Sequence, residues 1–214
     1  MKIVYSALIL VGLTMTIYFG FQWVSGTQAA ENLSQDEIEA LETAKVERQE
    51  VENEESSLEE ESDSVTDPVM SDEIDLYHVG AEMSRLVIPE IEKSYKTYWG
   101  TDDETLKQGV GMYVSQWTTT PDEKRHTVLS GHRDTVFSEL GAVELGDVLY
   151  LEYEGQRYEY EIDDIWITDA DDRTVIVDKD EATLTLTTCY PFDFVGSAPD
   201  RYIIQSKLVD IVEI

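Results

Sequence analysis

Alternating apolar and polar residues in the C-terminal two thirds of the chain constrain its fold most strongly. The clearest stretch, DVLYLEYEGQRYEYEIDDIWI (147–167), alternates on both sides of Glu154-Gly155, which is typical of a β-hairpin. Helix signals are sparse, and the clearest is TDDETL (101–106), which opens with a Thr-x-x-Glu capping box. Several short strands at close spacing are typical of an all-β sandwich or barrel, and periodicity alone leaves both open. The other predicted strands lie at 85–89, 126–132, 182–189 and 201–214.

The beginning of the chain predicts a membrane anchor. Residues 3–24 are almost wholly apolar, and a helix needs about 20 such residues to cross a bilayer core. Lys2 precedes this run and the first charges after it are acidic, so we expect a cytoplasmic N-terminus and an extracellular remainder. A cleaved signal peptide is the alternative, but its apolar region is usually only ~7–15 residues long. We therefore assign residues 1–25 to a single-pass anchor in the cell membrane.

The next segment is strongly acidic. The whole chain has a formal net charge of −31, and residues 31–75 hold 18 acidic and two basic residues. Such a segment cannot bury enough apolar surface to offset the entropy lost on ordering. The stretch SQDE before Ile38 and Leu41 resembles a capping box, which allows a transient helix over 35–50, but we favour a solvated spacer. We predict that residues 26–75 form an acidic, largely disordered linker.

The remaining residues, 76–214, have the ordinary size of one domain. This domain contains the only cysteine of the chain, Cys189, so no intramolecular disulfide can form. A buried small hydrophobe is the common role of a lone cysteine, and a reactive thiol is the alternative. The acidic charge balance also excludes a nucleic-acid partner, because nucleic-acid binding calls for a basic face.

Cys189 and His132 each stand at the end of an apolar or β-branched run. A thiol needs a nearby base or cation to become the thiolate that attacks carbonyl groups. Of the three histidines, only His132 follows a predicted strand at its end, and we expect His78 and His126 to be solvated or edge histidines. Arg201 opens the last strand, where its guanidinium is suited to holding a carbonyl or an oxyanion. The residues alone thus suggest a Cys-His nucleophile pair.

Three motifs in this domain resemble those of sortases, the cysteine transpeptidases of Gram-positive cell surfaces. The motifs are LSGHRDTVF (129–137), TLTTCYPFDF (185–194) and APDRYIIQSKL (198–208), and CYPFDFVGSAPDRYII is most similar to class D sortases. The resemblance implies a closed eight-stranded β-barrel with short helices over residues 76–214. It also implies that His132, Cys189 and Arg201 are the catalytic residues.

The resemblance further implies a reaction. Cys189 would form a thioacyl intermediate by cleaving, after Thr, an LPxTG-like sorting signal near the C-terminus of a secreted protein. The acyl group would then pass to an amine of a peptidoglycan precursor, with Arg201 stabilising the oxyanion and the hydroxyl of Thr188 contacting the substrate. A cysteine hydrolase that uses water as the acceptor and a non-catalytic surface-binding barrel are the alternatives.

No cofactor is expected from these motifs. The Asp-rich stretches at 163–164 and 169–172 offer oxygen ligands that suit Ca²⁺. Acidic residues are more often solvated surface, so we predict that the protein holds no metal.

Overall fold

A computed structural model of the protein describes residues 2–27, 29–52, 68–193 and 196–214. The helices in these residues are α1 (Lys2–Thr27), α2 (Gln35–Glu52) and α3 (Asp103–Leu106). The strands are β1 (Ala30–Asn32), β2 (Glu82–Ile88), β3 (Lys93–Trp99), β4 (Val110–Met112), β5 (His126–Ser130), β6 (Val148–Tyr153), β7 (Gln156–Asp169), β8 (Thr183–Tyr190) and β9 (Asp200–Glu213). Short 3-10 turns lie at Ser71–Glu73, Pro89–Ile91, Pro121–Glu123 and Leu140–Ala142.

Eight of these strands close into a barrel. They follow the order β3-β2-β6-β7-β9-β8-β5-β4, and β4 pairs back onto β3. The β3–β4 and β5–β8 pairs are parallel, and the other neighbouring strands are antiparallel. The prediction of an all-β, closed eight-stranded barrel with short helices is therefore confirmed, and the sandwich alternative is excluded.

The interior of the barrel is filled by alternate residues of its strands. Side chains on a strand point in turn to opposite faces of the sheet. In β8 this sends Leu184 and Leu186 into the core, where neither is exposed to solvent. Tyr158 and Tyr160 of β7 occupy the same core. Burial of this apolar surface holds the strand ends, where the candidate site lies, in fixed positions.

The predicted hairpin and the predicted short helix both occur. Glu154 and Gly155 join β6 to β7, and both have positive φ angles, 49° and 79°, as a tight two-residue hairpin turn requires. The short helix is α3, but its N-cap is Asp102 and not the Thr of the predicted capping box. The carboxylate of Asp102 accepts hydrogen bonds from the backbone N–H groups of Glu104 and Thr105.

Part of the predicted linker packs on the outside of the barrel. β1 adds to the edge of β3 through residues 93–95, beside the segment of β3 that pairs with β4. Leu33 and Leu41, before and within α2, are 8 % and 4 % exposed. They pack with Ile38 against an apolar patch on the outer face of β2 and β6, formed by Val87, Val148 and Tyr150.

An ion-pair network joins the same helix to the barrel. Arg85 of β2 donates to Glu37 of α2 at 2.8 Å and to Glu152 of β6 at 3.2 Å. The interpretation of residues 35–50 as a solvated spacer is therefore wrong for the first half of α2. Residues 53–67 of the predicted linker lie outside the described residues, and the domain boundaries at residues 25 and 75 stay predictions.

Residues 2–25 of the predicted anchor lie within α1. Nevertheless, the part of the chain that the structure describes includes no helix with both the length and the apolar character of a membrane span. The membrane anchor stays a prediction.

We expect Leu41→Ala to lower the free energy of unfolding by about 2 kcal/mol, because the substitution removes buried apolar contacts between α2 and the barrel. Chemical unfolding followed by circular dichroism measures this change. Glu42→Ala, at the exposed neighbouring position of α2, is the control and should change stability by less than about 0.5 kcal/mol. Equal stabilities of the two variants would contradict the packing of α2 on the barrel.

Candidate active site

Cys189 is the penultimate residue of β8 and lies on the outer face of the barrel. Leu184 and Leu186 of β8 point into the core, so Thr185, Thr187 and Cys189 occupy the opposite face. The thiol is free and half-buried. Cys189 is therefore not a core residue, and its strand end keeps the sulfur open to a substrate.

Arg201 lies directly across from Cys189. In the antiparallel pair of β8 and β9, Cys189 is the register partner of Arg201, and Thr187 is the partner of Ile203. Directly opposite residues have Cβ atoms about 4.5–5.5 Å apart and project from the same face. The guanidinium of Arg201 is oriented by a 3.0 Å hydrogen bond from Nη1 to the carbonyl oxygen of Asp200. The pairing thus places the guanidinium-bearing side chain of Arg201 on the same face of the sheet as the thiol.

His132 reaches the same end of the barrel through the parallel pair of β5 and β8. Ser130, the last residue of β5, is the register partner of Thr187. The next residue, Gly131, donates its N–H to the carbonyl oxygen of Thr187 at 3.2 Å. His132 comes two residues after Ser130, and Cys189 comes two residues after Thr187. The two residues therefore lie at the same level along the parallel strands. The strand register thus brings His132, Cys189 and Arg201 to the same end of the barrel, and their catalytic roles stay a prediction.

Gly131 is required by the close packing of the turn that carries His132. A Cβ atom at this position would lie 2.7 Å from both Cδ2 of Phe137 and Cγ2 of Val136. Phe137 is fully buried, so its ring cannot move away from an added Cβ atom without displacing its core neighbours. The N–H of Phe137 also donates to the carbonyl oxygen of His132 at 3.0 Å, which closes the turn.

Thr188 ties the two sides of the site together. Its side chain lies on the inward face of β8, opposite to that of Cys189, and is only 3 % exposed. Its hydroxyl donates to the carbonyl oxygen of Gly131 at 2.7 Å. In the structure this hydroxyl links the strand of the thiol to the turn of the imidazole, and the predicted substrate contact of Thr188 stays a prediction.

A groove of about 520 Å³ lies on the outer face, at the same end of the barrel. Its floor includes Thr187, Ile203 and Arg201, the row of residues that leads to Cys189. One wall is formed by residues of the β7–β8 connection, and the other carries Tyr113 and Trp117, which are 37 % and 47 % exposed. Neither aromatic residue was identified from the sequence. They lie near Arg201 only because the barrel closes, and a sequence pattern does not show this closure.

The Asp-rich stretch in the first wall uses its carboxylates within the loop. Asp172 accepts hydrogen bonds from the hydroxyl groups of Thr168 and Thr174, and its pKa is lowered, chiefly by the bond from Thr168. Asp169 accepts from the backbone N–H of Asp171 at 2.8 Å. Among the described residues, no group of three or more acidic, His or Cys side chains is arranged to hold a metal ion.

His126 anchors the far end of that wall, and the expectation of a solvated or edge histidine is wrong for it. The side chain is fully buried, with Nδ1 donating to the carbonyl oxygen of Val177 at 2.7 Å and Nε2 2.9 Å from the hydroxyl of Thr185. Burial lowers the pKa of His126 to about 4, so the imidazole is neutral at physiological pH. His78, in contrast, is exposed as expected.

Aromatic packing holds the segment that follows the thiol. The rings of Tyr190, Phe192 and Tyr202 contact one another with centroid distances of 5.2–6.1 Å. Phe192 also packs over Gly141, where a Cβ atom would lie 2.9 Å from the ring. The backbone on both sides of Cys189 is therefore held by packed neighbours.

Comparison with known families agrees with this geometry. The model of the family described as "Sortase domain" matches residues 86–209, which is more than half of the chain. This range includes His132, Cys189 and Arg201. The chain belongs to the sortase family. Sortases are cysteine transpeptidases, and the family predicted from the three motifs is confirmed.

Class D sortases are among the relatives of this sortase. It is 46% identical over 125 residues to Sortase D of Bacillus subtilis strain 168, a match that covers 58% of this chain and 62% of that relative. The match thus spans less than two thirds of the relative's length. A structure of the catalytic domain of B. anthracis SrtD is 50% identical, with a TM-score of 0.58, and covers 75% of this chain and 100% of that domain. The predicted likeness to class D is confirmed.

Two further solved structures share the fold. The Clostridium perfringens Sortase D5 transpeptidase is 25% identical, with a TM-score of 0.56, over 63% of this chain and 82% of that one. A C. perfringens sortase C with the C-terminal cell wall sorting motif is 26% identical, with a TM-score of 0.57, over 63% and 74% of the two chains.

We expect the stability of this sortase to fall as the pH drops from 6.5 towards 4, with a contribution from His126. Its pKa is about 4 when folded and near 6.5 when unfolded, so the unfolded chain binds the extra proton in this window. The contribution is complete above pH 6.5 and amounts to about 3 kcal/mol. Chemical unfolding at several pH values measures it.

His126→Gln provides the reference for this measurement. Glutamine keeps polar atoms at the site but does not titrate, so the acidic residues of the protein contribute equally to both curves. The difference in stability between wild type and variant should shrink as the pH falls to 4. A difference that is constant between pH 7 and pH 4 would contradict the lowered pKa of His126.

Proposed function

We propose that this sortase is a membrane-anchored transpeptidase that cleaves an LPxTG-like sorting signal after its Thr. It then transfers the signal-bearing protein to an amine of the cell wall. The observation that carries this proposal is the strand register that sets Arg201 opposite Cys189 and brings the turn of His132 to the same strand end. A thiol with a base and a fixed cation is the arrangement that acyl transfer needs.

The first step acylates the enzyme. The proton of the Cys189 thiol passes to His132, and the sulfur forms a bond to the carbonyl carbon of the signal's Thr. The carbonyl oxygen becomes an oxyanion, and the N–H groups of Arg201 stabilise it or align the signal backbone. When the tetrahedral species collapses, the C–N bond after Thr breaks and His132 gives its proton to the leaving amine.

The second step transfers the acyl group. The amine of a peptidoglycan precursor attacks the thioester carbon and gives up a proton to His132. The C–S bond then breaks, the new amide leaves, and the sulfur regains its proton from His132. Neither step as proposed uses a metal, a cofactor or an external oxidant.

The groove supports an extended peptide as the substrate. It has a floor of strand residues and an aromatic wall of Tyr113 and Trp117, and aromatic side chains supply large contact areas at binding sites. The C. perfringens sortase C described with a C-terminal cell wall sorting motif supports the same substrate class. Secreted proteins that bear such a signal are therefore the proposed clients.

The proposed location is the outer surface of the cell membrane. The apolar run at residues 3–24 and Lys2 before it support a single-pass anchor with a cytoplasmic N-terminus. An anchor of this kind holds the barrel close to the membrane, where both the secreted client and the wall precursor emerge.

Mass spectrometry of the protein incubated with LPxTG-like peptides tests the reaction. Wild type should gain the mass of the peptide up to Thr on Cys189, and an added amine should release a transpeptidation product. Cys189→Ala should form neither species while it keeps the same thermal unfolding midpoint, because the acyl intermediate requires the sulfur. Release of the free acid alone, even with excess amine, would identify a hydrolase, and turnover by Cys189→Ala above about a tenth of wild type would contradict the mechanism.

We expect Arg201→Lys to lower kcat by about 10²–10³-fold, the usual cost of losing one oxyanion donor. Lysine keeps the positive charge but lacks the planar fork that directs two N–H groups at an oxygen atom. Steady-state kinetics with a sorting peptide measure the loss. Arg157→Lys, on β7 outside the groove, where the guanidinium pairs with Glu152, is the matched control and should remain within about threefold of wild type. A loss of less than about threefold in Arg201→Lys would contradict this role.

A further inference from the structure

Residues 68–81, which we call the strap, precede β2 and are bound to the barrel at two points. Near its start, the N–H of Ser71 donates to the carbonyl oxygen of Thr118 at 2.7 Å, and Ser71 is fully buried. Further along, the ring of Tyr77 lies 5.1 Å from that of Trp99, and its hydroxyl donates to Tyr153 at 3.3 Å. The strap is therefore packed on the barrel.

The side chain of Ser71 bonds to the loop formed by residues 113–118. Its Oγ accepts from the N–H of Ser115 at 2.9 Å and lies 3.0 Å from the carbonyl oxygen of the same residue. It is also 2.7 Å from the hydroxyl of Thr118, which donates in turn to the carbonyl oxygen of Tyr113. The hydroxyl of Ser71 thus bonds to both backbone groups of Ser115, accepting from its N–H and lying within hydrogen-bond distance of its carbonyl oxygen.

The loop that Ser71 holds is the aromatic wall of the groove. Tyr113 begins the loop, and Trp117 lies next to Thr118 near its end. Both rings are substantially exposed and line the groove that contains Arg201. An exposed aromatic ring keeps a fixed position only when the backbone that carries it is fixed. The hydrogen bonds of Ser71 hold this backbone from outside the loop.

We propose that Ser71 is a positioning residue that fixes the 113–118 loop, so that Tyr113 and Trp117 form the wall against which the sorting signal binds. This inference rests on the proposed function for the identity of the ligand. This role couples signal binding to the strap, whose first residues, 68–75, belong to the predicted linker. The segment that connects the barrel to the predicted anchor therefore also sets the shape of the substrate groove.

Ser71→Ala separates this role from a role in folding. Without the Ser71 hydroxyl, the N–H of Ser115 still has the hydroxyl of Thr118 at 3.1 Å, and the N–H of Thr118 still donates to the carbonyl oxygen of Ser115 at 3.3 Å. The loop thus keeps its internal turn and its backbone bond to the N–H of Ser71, and it loses only the bonds of the Ser71 hydroxyl. The expected effect is a displaced wall on a folded barrel.

The experiment compares the full-length wild type with Ser71→Ala and with the control Asp72→Ala, which alters the exposed neighbour of Ser71 in the strap. Steady-state kinetics with an LPxTG-like peptide give KM and kcat. Acrylamide quenching of Trp117 fluorescence, obtained by subtracting the signal of Trp117→Phe, reports the exposure of the wall independently of turnover. Thermal unfolding checks that each variant is folded.

We expect Ser71→Ala to raise KM by about three- to tenfold, which corresponds to the loss of one net hydrogen bond, while kcat changes less than about twofold. Quenching of Trp117 should increase in the same variant, and Asp72→Ala should match wild type in both measurements. An unchanged KM would overturn the proposal whatever the quenching, because the wall would then not contact the signal. A raised KM with unchanged quenching would also overturn it, because the loop would not have moved.

The two proposals fail in different ways. If wild type cleaves no sorting peptide although Trp117 quenching responds to Ser71→Ala, the proposed function is wrong and the mechanical role of Ser71 in the loop stands. If wild type cleaves the peptide and Ser71→Ala behaves as wild type, the proposed function stands and the role of Ser71 is overturned.

Discussion

The candidate site depends on one strand, β8, and on its pairing with β5 on one side and β9 on the other. The antiparallel pair fixes Arg201 opposite Cys189, and the parallel pair delivers His132 from the end of β5. Because side chains alternate along a strand, a slip of one residue in either pair would send one of these groups to the wrong face. The bonds between Thr188, Gly131 and Thr187 prevent such a slip by joining the two backbones just where β5 ends. Register is thus the physical basis of the proposed chemistry.

Buried polar contacts on the outside of the barrel support the walls of the groove. His126 holds the β7–β8 connection through the carbonyl group of Val177, and Ser71 holds the opposite loop through the backbone of Ser115. A buried polar group is costly without a partner, so a fully bonded one favours a single arrangement of the segments that it joins. The two walls are therefore fixed from residues that do not line the groove. This explains how loops can present a defined binding surface on a rigid scaffold.

In the N-terminal part of the chain, the overall charge of the segment and the packing of a few of its residues favour different structures. The high density of acidic residues predicts a solvated spacer, and the average composition of residues 31–75 agrees with it. Three apolar side chains, Leu33, Ile38 and Leu41, are nevertheless enough to dock β1 and α2 on the barrel, because an apolar patch on β2 and β6 is available to receive them. The ion pairs of Arg85 add orientation to this contact. The average composition of a segment cannot reveal a few apolar side chains that are placed to contact the barrel.

By itself, the sequence determined the β class, the hairpin at Glu154-Gly155 and, through its three motifs, the identity of the proposed catalytic residues, because alternation and local motifs are properties of neighbouring residues. It did not reveal β3 or β4, whose pairing closes the barrel, nor the burial of His126, because these depend on contacts between distant segments. Tyr113, Trp117 and Ser71 carry no local signal either. Only the tertiary structure brought them to the groove, since their roles arise from strand order, which a linear pattern does not contain.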